Sequence, residues 1–205
     1  MSQFFESIKL LDGKLQMFDL HNQRLNTTRN VFFENCKQIE LSKEISIPCD
    51  YKEGLVKVRI EYDRYLNRID FLPYEIKNHN LVKFLINEDI TYEHKDTNRN
   101  ALDAFLKSNL KFDDVIFVKN GFLTDASYSN LALFKNDVWF TPTNCLFKGI
   151  KRGSLLSKSK LQEEEVMLKD LHKYEKIAFI NAMRDFEKIY SFIVEEDELK
   201  LFIAK

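Results

Sequence analysis

Between Val56 and Tyr62 the chain reads Val-Lys-Val-Arg-Ile-Glu-Tyr, with apolar and charged side chains in strict alternation. Only an extended backbone sends every second side chain to the same face, so this run predicts a strand with one face in a core and one toward water. A half-covered strand of this kind belongs to an antiparallel sheet rather than to regular βαβ repetition, whose strands are apolar on both faces. Gly54 before the run, and a less regular run from Tyr65 to Leu72 ending near Pro73, predict a meander. Ahead of it, Phe4 to Leu10 predicts a strand, Asp12-Gly13 a hairpin turn and Lys14 to Phe18 its return. His21 to Cys36 predicts a helix with Leu25, Val31, Phe32 and Cys36 as its apolar stripe.

Farther along, Leu81 to Ile90 predicts a strand and Asn98 to Leu110 a helix, with Ala101, Phe105 and Leu110 available to face a core. Asp114 to Val118 is a short apolar strand, Asn120-Gly121 a turn, and Asn130 to Phe134 with Val138 to Phe140 a hairpin. Gly149 opens a segment that turns helical through Leu161, and Lys176 to Asn181 reads as a buried strand. The expected class is α+β in two lobes: a small α+β domain over residues 1–90 and a larger one over 91–205.

Eighteen Phe and eight Tyr among 205 residues supply one substantial core or two modest ones, without disulfides or a structural metal. The 31 Lys and Arg are balanced by 32 Asp and Glu, which argues against a general nucleic-acid binder, since phosphates call for a basic surface. Cys36, Cys49 and Cys145 lie far apart and form no metal-ligand spacing, so they read as reduced thiols and no metal is expected. No apolar run approaches a membrane span, and the amino terminus has no secretory pattern; the cytoplasm is the expected compartment.

Taken singly, the candidate functional residues have ordinary readings. Lys95 is one of many lysines, Arg24 a solvated helix arginine, Asp125 a turn aspartate, and Gly149 part of a loop before a helix. Their company changes this. Phe5-Glu-Ser-Ile8, Asp12-Gly13, His21-Asn-Gln-Arg-Leu25, Tyr92 to Asn100, Leu123 to Leu131, Gly149-Ile-Lys-Arg152 and Ile180-Asn-Ala-Met-Arg184 occur in the order found in the fold-type-IV pyridoxal-phosphate enzymes. The chain resembles these class IV aminotransferases over nearly its whole length. That family includes branched-chain and D-amino-acid aminotransferases and 4-amino-4-deoxychorismate lyase.

The resemblance implies a D-amino-acid aminotransferase-like fold with a shortened amino terminus, a larger domain that binds the cofactor, and a homodimer. It makes Lys95 the catalytic amine that joins pyridoxal 5'-phosphate as a Schiff base, a role that needs a neutral amine. Arg24 matches the arginine that contacts the phosphate, for which a guanidinium fork is suited. Asp125 stands where the family usually has a glutamate beside the pyridine nitrogen, one methylene shorter. Gly149, Ile150 and Lys151 match a second phosphate-binding segment, with backbone donors at a helix start. Asn98, Arg99, Asn181 and Arg184 match segments of the lyase-like members and are expected to organise the site or contact substrate, although a salt bridge serves equally well for Arg99.

The implied reaction is conversion of 4-amino-4-deoxychorismate to 4-aminobenzoate and pyruvate, a step of folate biosynthesis, on a small amino-bearing carboxylate substrate. The alternatives are a class IV aminotransferase acting on a branched-chain or D-amino acid, and a catalytically inactive relative.

Overall fold

The computed structural model describes residues 3–204, the side chain of Ala101 excepted. The chain divides into two compact units, Met1–Ile76 with His94–Asn98, and Lys77–Glu93 with Arg99–Lys205. This division differs from the expected 1–90 and 91–205. The strand at residues 81–86 pairs with strands of the second unit, and the short segment around Lys95 pairs with the first.

The first unit is an antiparallel sheet of β1 (Phe4–Leu11), β2 (Lys14–Leu15), β3 (Leu55–Tyr62) and β4 (Leu66–Pro73), in the order β2-β1-β3-β4. The alternation that opened the sequence reading is realised in β3, where Val56, Val58, Ile60 and Tyr62 are buried and the charged residues between them are partly exposed. Asp12 and Gly13 both take positive φ, 47° and 74°, as a tight hairpin between twisted strands requires. The return strand is only two residues long, and helix α1 (Phe18–Phe32) starts three residues earlier than expected. Phe4, Ile8, Leu10 and Leu25 complete the core with the inward face of β3 and with Leu41 of the short helix α2 (Leu41–Glu44).

Of the apolar stripe expected for α1, Leu25 is buried but the rest is not the face the helix buries. Val31 and Phe32 are exposed, while His21, Leu25, Asn26, Thr28 and Arg29 are buried. The polar face has a backbone to satisfy. Asn26 exchanges hydrogen bonds with both backbone groups of Ile39 (2.8 Å each), and Arg29 donates to the carbonyls of Lys37 and Arg64. An extended segment without strand partners is thereby supplied with the bonds that buried peptide groups require.

In the second unit, among the described residues, seven strands close a circuit in the order β8-β11-β12-β13-β5-β6-β7 and back to β8. They are β5 (Leu81–Ile86), β6 (Asp114–Lys119), β7 (Phe122–Ala126), β8 (Asn130–Lys135), β11 (Lys176–Ile180), β12 (Ile189–Glu195) and β13 (Glu198–Ile203). β9 (Val138–Pro142) and β10 (Gln162–Glu164) extend the sheet beyond β8. The hairpin β12–β13 was not anticipated from the sequence. Its successive apolar residues Phe192, Ile193 and Val194 obscure the alternation.

The continuously apolar strands are covered on both faces. Ile116 and Val118 of β6, Leu131 and Leu133 of β8, and Ile177 and Phe179 of β11 share one core cluster. The alternate residues Val115 and Phe117 pack with Leu102 of α3 (Asn100–Ser108), and Ala132, Ala178 and Ile180 pack with Leu155 of α4 (Ile150–Ser157). Leu110, expected to face a core, lies beyond the end of α3 and is 90% exposed. Ala101, expected beside it, has a side chain outside the described set. Among the described residues no helix is long and apolar enough to cross a membrane.

These placements separate two leucine-class positions by their effect. Ile116→Ala should lower unfolding stability by about 2–5 kcal/mol through the cavity it leaves, whereas Leu110→Lys should change it by no more than about 0.5 kcal/mol; urea titrations of both variants check this.

Candidate active site

β1 carries the first half of the site. Its inward positions are Phe4, Glu6, Ile8 and Leu10, all buried, so period-two geometry places one carboxylate in an apolar row. Two side chains of α1 answer it. Arg24 donates from Nε to Oε1 (2.8 Å) and from Nη2 to Oε2 (2.5 Å), and His21 Nδ1 lies 2.7 Å from Oε2. Burial alone would raise the Glu6 carboxyl, but the Arg24 charge and the hydrogen bonds from His21 and Arg24 outweigh it and lower it to about 2. For His21 burial wins over Glu6, and with the charges of Arg24 and Lys95 it keeps the imidazole below its usual range. His21 is then a neutral ring whose Nδ1–H donates to Glu6, and its Nε2 is buried without a partner among the described residues.

The segment holding Lys95 is fastened to β1 through the backbone. Phe5 N donates to the Lys95 carbonyl (2.9 Å), Thr97 N donates to the Gln3 carbonyl (2.9 Å), and Phe4 bridges Asp96. The lysine is therefore held through its own carbonyl and the two residues after it, and its Nζ lies 4.6 Å from the centroid of the Phe5 ring. Arg59 also approaches that ring, at 4.1 Å. Arg24 and Lys95 thus fall in one unit, and both charges act on His21. Asn98 belongs to the same segment; its backbone N donates to Asp96 and its side chain is exposed.

The second unit carries Asp125 at the end of β7, where β7 meets β8 through the single pair Asp125–Asn130. Asn130 Nδ2 donates to Asp125 Oδ1 (2.7 Å) and to the Phe147 carbonyl (2.7 Å), and Phe147 N donates to Asp125 Oδ2 (2.8 Å). Burial pushes the Asp125 carboxyl up to about 7, against these two hydrogen bonds and the more distant Arg152 charge, which pull it down. A Cβ on Gly149 would come within 2.3 Å of Asn130 Oδ1, so glycine is what allows the loop before α4 to close on this amide. Gly149 itself sits at φ −64°, an ordinary angle, and the requirement is one of space.

Ile150 and Lys151 open α4, whose amino end has no side-chain cap. The Lys151 side chain is turned to Asp185 (2.9 Å), leaving the backbone as its route to an anion. Arg99 donates to Tyr92 Oη (3.0 Å) and to the Ser127 carbonyl, lies 3.6 Å from Asp103, and has its guanidinium against the Tyr92 and Tyr128 rings. Asn181 donates to the Tyr128 carbonyl and Ser129 Oγ (3.1 Å each), and its own oxygen accepts from the backbone of Met183 and Arg184. Arg184 is buried and donates to Ser129 Oγ (2.9 Å). Both residues therefore brace the turn after Asp125. A cavity of about 460 Å³ in the same unit is lined by Tyr92, Lys119, Thr124, Cys145 and Leu146 among others, and does not include Asp125 or Gly149.

Sequence reasoning passed over Glu6, although it stands inside the quoted segment Phe5-Glu-Ser-Ile8. An acid at the inward position of an alternating strand was the available signal. It also passed over His79, Asp114, Ser127 and Ser129, polar residues buried in the second unit.

In chemical terms, the first unit offers an amine able to condense with an aldehyde and a guanidinium held for an anion. The second offers a buried carboxylate able to hold a proton on a basic ring nitrogen, and backbone donors at a helix start. A sequence profile of the class IV amino-transferases matches residues 3–191. The chain belongs to the class IV aminotransferase family. Members of that family are pyridoxal-phosphate-dependent enzymes, and the α+β fold expected from the sequence is theirs.

An uncharacterized protein of Haemophilus influenzae is 28% identical to this chain over 185 residues, 89% of this chain and 98% of the relative. The crystal structure of a candidate 4-amino-4-deoxychorismate lyase from Haemophilus somnus is 29% identical, with a TM-score of 0.82 over 89% of this chain and 97% of that one. A hypothetical aminotransferase of Mycobacterium tuberculosis in its PLP-bound form is alike in fold alone, 14% identical with a TM-score of 0.72 over 89% of this chain and 78% of that one.

Two pH dependences of opposite sign follow. Glu6 has its carboxyl depressed from 4.5 to about 2, so its contribution is complete above pH 4.5 and is lost as the pH falls toward 2. Glu6→Gln should therefore destabilise the protein near pH 6 by about 3 kcal/mol, and the difference from wild type should shrink on acidification. Asp125 has its carboxyl raised from 3.8 to about 7, so ionising it in the fold costs stability progressively across that window. Cofactor-free Asp125→Asn should lack this decline between pH 4 and 7, as thermal unfolding at several pH values will show.

Proposed function

We propose that this chain is a pyridoxal-phosphate-dependent lyase that converts 4-amino-4-deoxychorismate to 4-aminobenzoate and pyruvate, with its cofactor joined to Lys95. The observation that carries the reading is the fixed backbone that bears the amine. Lys95 is held on the edge of β1 by backbone hydrogen bonds, in the same unit as an arginine clamped by a buried carboxylate. The choice of lyase is supported by the likeness to the Haemophilus somnus protein along almost the full length of both chains.

The residues suit pyridoxal phosphate on three counts. Asp125 is a buried carboxylate whose ionised form is under-compensated, and a protonated ring nitrogen would supply the missing positive charge. Gly149 lets the loop before α4 close on the Asn130 amide, which in turn holds Asp125. Arg24, with two donors committed to Glu6, is oriented in advance for a phosphate, and the backbone N–H groups of Ile150 and Lys151 add donors of the kind phosphates favour.

When bound, the cofactor supplies an electron sink for the charge left on the carbon next to the substrate amine. Lys95 would be the residue that holds the cofactor covalently and, as a free base, would take the proton from the ring carbon that bears the substrate amine. The enolpyruvyl C–O bond then breaks with its electron pair going to oxygen. The ring becomes aromatic, and the released enolate takes up at carbon one proton, equal in number to the one removed by Lys95, to become pyruvate. Arg24 would keep the phosphate end in place, and Asp125 would favour a proton at the pyridine nitrogen. Amino transfer is the second reading, favoured by the family itself; there the proton taken by Lys95 is returned to a different carbon and no C–O bond breaks.

Purified protein with added pyridoxal phosphate should show a visible absorbance band and, after borohydride, a covalent adduct on Lys95; Lys95→Ala should abolish both. Given 4-amino-4-deoxychorismate, the wild type should form 4-aminobenzoate and pyruvate in equal amounts, and Lys95→Ala should be slower by about 10²–10⁴-fold. An adduct without 4-aminobenzoate, accompanied by exchange between amino acids and 2-oxo acids, would give the second reading the advantage. A folded protein with no adduct would point to an inactive relative.

A further inference from the structure

The turn between β7 and β8 is buried along its length except at Tyr128. Asp125, Ser127 and Ser129 are buried, while Tyr128 at the tip is exposed. Ala126 N closes the turn onto the Ser129 carbonyl at 2.8 Å. Beneath it lies a set of polar side chains that the reaction described above does not use. Ser127 donates to Asp114 Oδ1 from both its backbone N (3.1 Å) and its Oγ. Asp114 Oδ2 lies 3.4 Å from His79 Nε2, His79 Nδ1 lies 3.4 Å from Arg184 Nη1, and Arg184 Nη2 donates to Ser129 Oγ at 2.9 Å. The path leaves the turn at Ser127 and returns to it at Ser129.

His79 accepts from Arg184 only with Nδ1 unprotonated, which puts the ring proton on Nε2, the atom that faces Asp114. Its ring is kept in that orientation by stacking on Phe179, with centroids 4.5 Å apart, and its backbone N donates to Tyr190 Oη (3.1 Å). The contacts at His79 are long and those at the two serines short, so the grip on the turn is strongest where the path meets it. Asn181 adds a second donor to Ser129 Oγ at 3.1 Å.

Stability alone is a poor reason for such an arrangement. Burying a carboxylate, an imidazole and a guanidinium costs desolvation that well-packed apolar residues would avoid, and buried ion pairs commonly give no net gain over them. What they supply is direction. Asp114 and Arg184 end on Ser127 and Ser129, two and four positions from Asp125, and His79 lies between them; the Asp125 side chain itself has little reach to correct a misplaced backbone.

We infer that Asp114, His79 and Arg184 are positioning residues that hold the Asp125 carboxylate in register, acting through Ser127 and Ser129. The inference rests on the reading of Asp125 as partner of the cofactor's ring nitrogen. Its consequence is that loosening the turn from behind reproduces, in weaker form, the loss of Asp125 itself.

The test is a pH titration of the visible absorbance of bound pyridoxal phosphate, with its dissociation constant measured alongside. Asp125→Asn should move the titration midpoint upward, because a ring nitrogen that loses its proton no longer opposes protonation elsewhere on the conjugated system. Ser127→Ala and Asp114→Asn should move it in the same direction, by on the order of half a pH unit, and neither should move it further when combined with Asp125→Asn. Tyr174→Phe, which removes a hydrogen bond to Glu164 in the same unit, should leave the midpoint in place.

If Asp125→Asn shifts the midpoint while Ser127→Ala and Asp114→Asn do not, or if their shifts persist undiminished in the Asp125→Asn background, the inference is overturned and the reading of Asp125 stands. If Asp125→Asn shifts nothing, that reading falls and the inference with it. Wild type that binds no pyridoxal phosphate sinks the cofactor assignment as a whole. Should Asp114→Asn fail to fold, Ser127→Ala, which removes one oxygen, decides the matter alone.

Discussion

A carboxylate with no exposure, surrounded by Phe4, Ile8 and Leu10, can stay ionised only if the protein supplies what water would have given. In the first unit that supply comes from one helix. Arg24 and His21 lie one turn apart on α1, so both reach Glu6 from the same face, and the acid becomes the point at which helix and sheet are registered. The same contact orients a guanidinium and sets a histidine tautomer. Packing and chemistry cannot be separated here: the residues that complete the core are the ones that prepare the anion-binding arginine.

The second unit solves a different problem. Closing a sheet on itself removes its edges, and the closure falls at β7–β8, where only one residue pair is made. A junction that thin needs support from outside the ladder. It comes from Phe147 and Asn130 in front and from Asp114, His79 and Arg184 behind. The candidate functional carboxylate sits at the seam, where backbone pairing is weakest and side chains have most say over geometry.

Much of this was legible in the residues. The strict alternation at Val56 to Tyr62 has a single structural solution, and the Asp12-Gly13 turn follows from two residues that tolerate positive φ. Gly149 is singled out by sequence for a close approach; the approaching atom, Asn130 Oδ1, lies nineteen positions upstream and is invisible to local pattern. The helix α1 defeats a hydrophobic-stripe argument because its buried face serves the peptide groups of Lys37, Ile39 and Arg64, a demand created by distant chain. The division into units is obscured for the same reason: β5 belongs with β6 and β13, and β13 comes near the end of the sequence. Pairwise partnership across long separations is what a single sequence does not display.

The five residues around Lys95 leave the second unit's stretch of chain, join the first unit along β1, and return. Neither unit is therefore a contiguous piece of gene. A fragment ending near residue 76 would retain the clamped arginine yet lack the amine, and would bare the stretch of β1 that the lysine segment occupies. Each unit is completed only by a segment that the chain supplies from within the other's stretch of sequence.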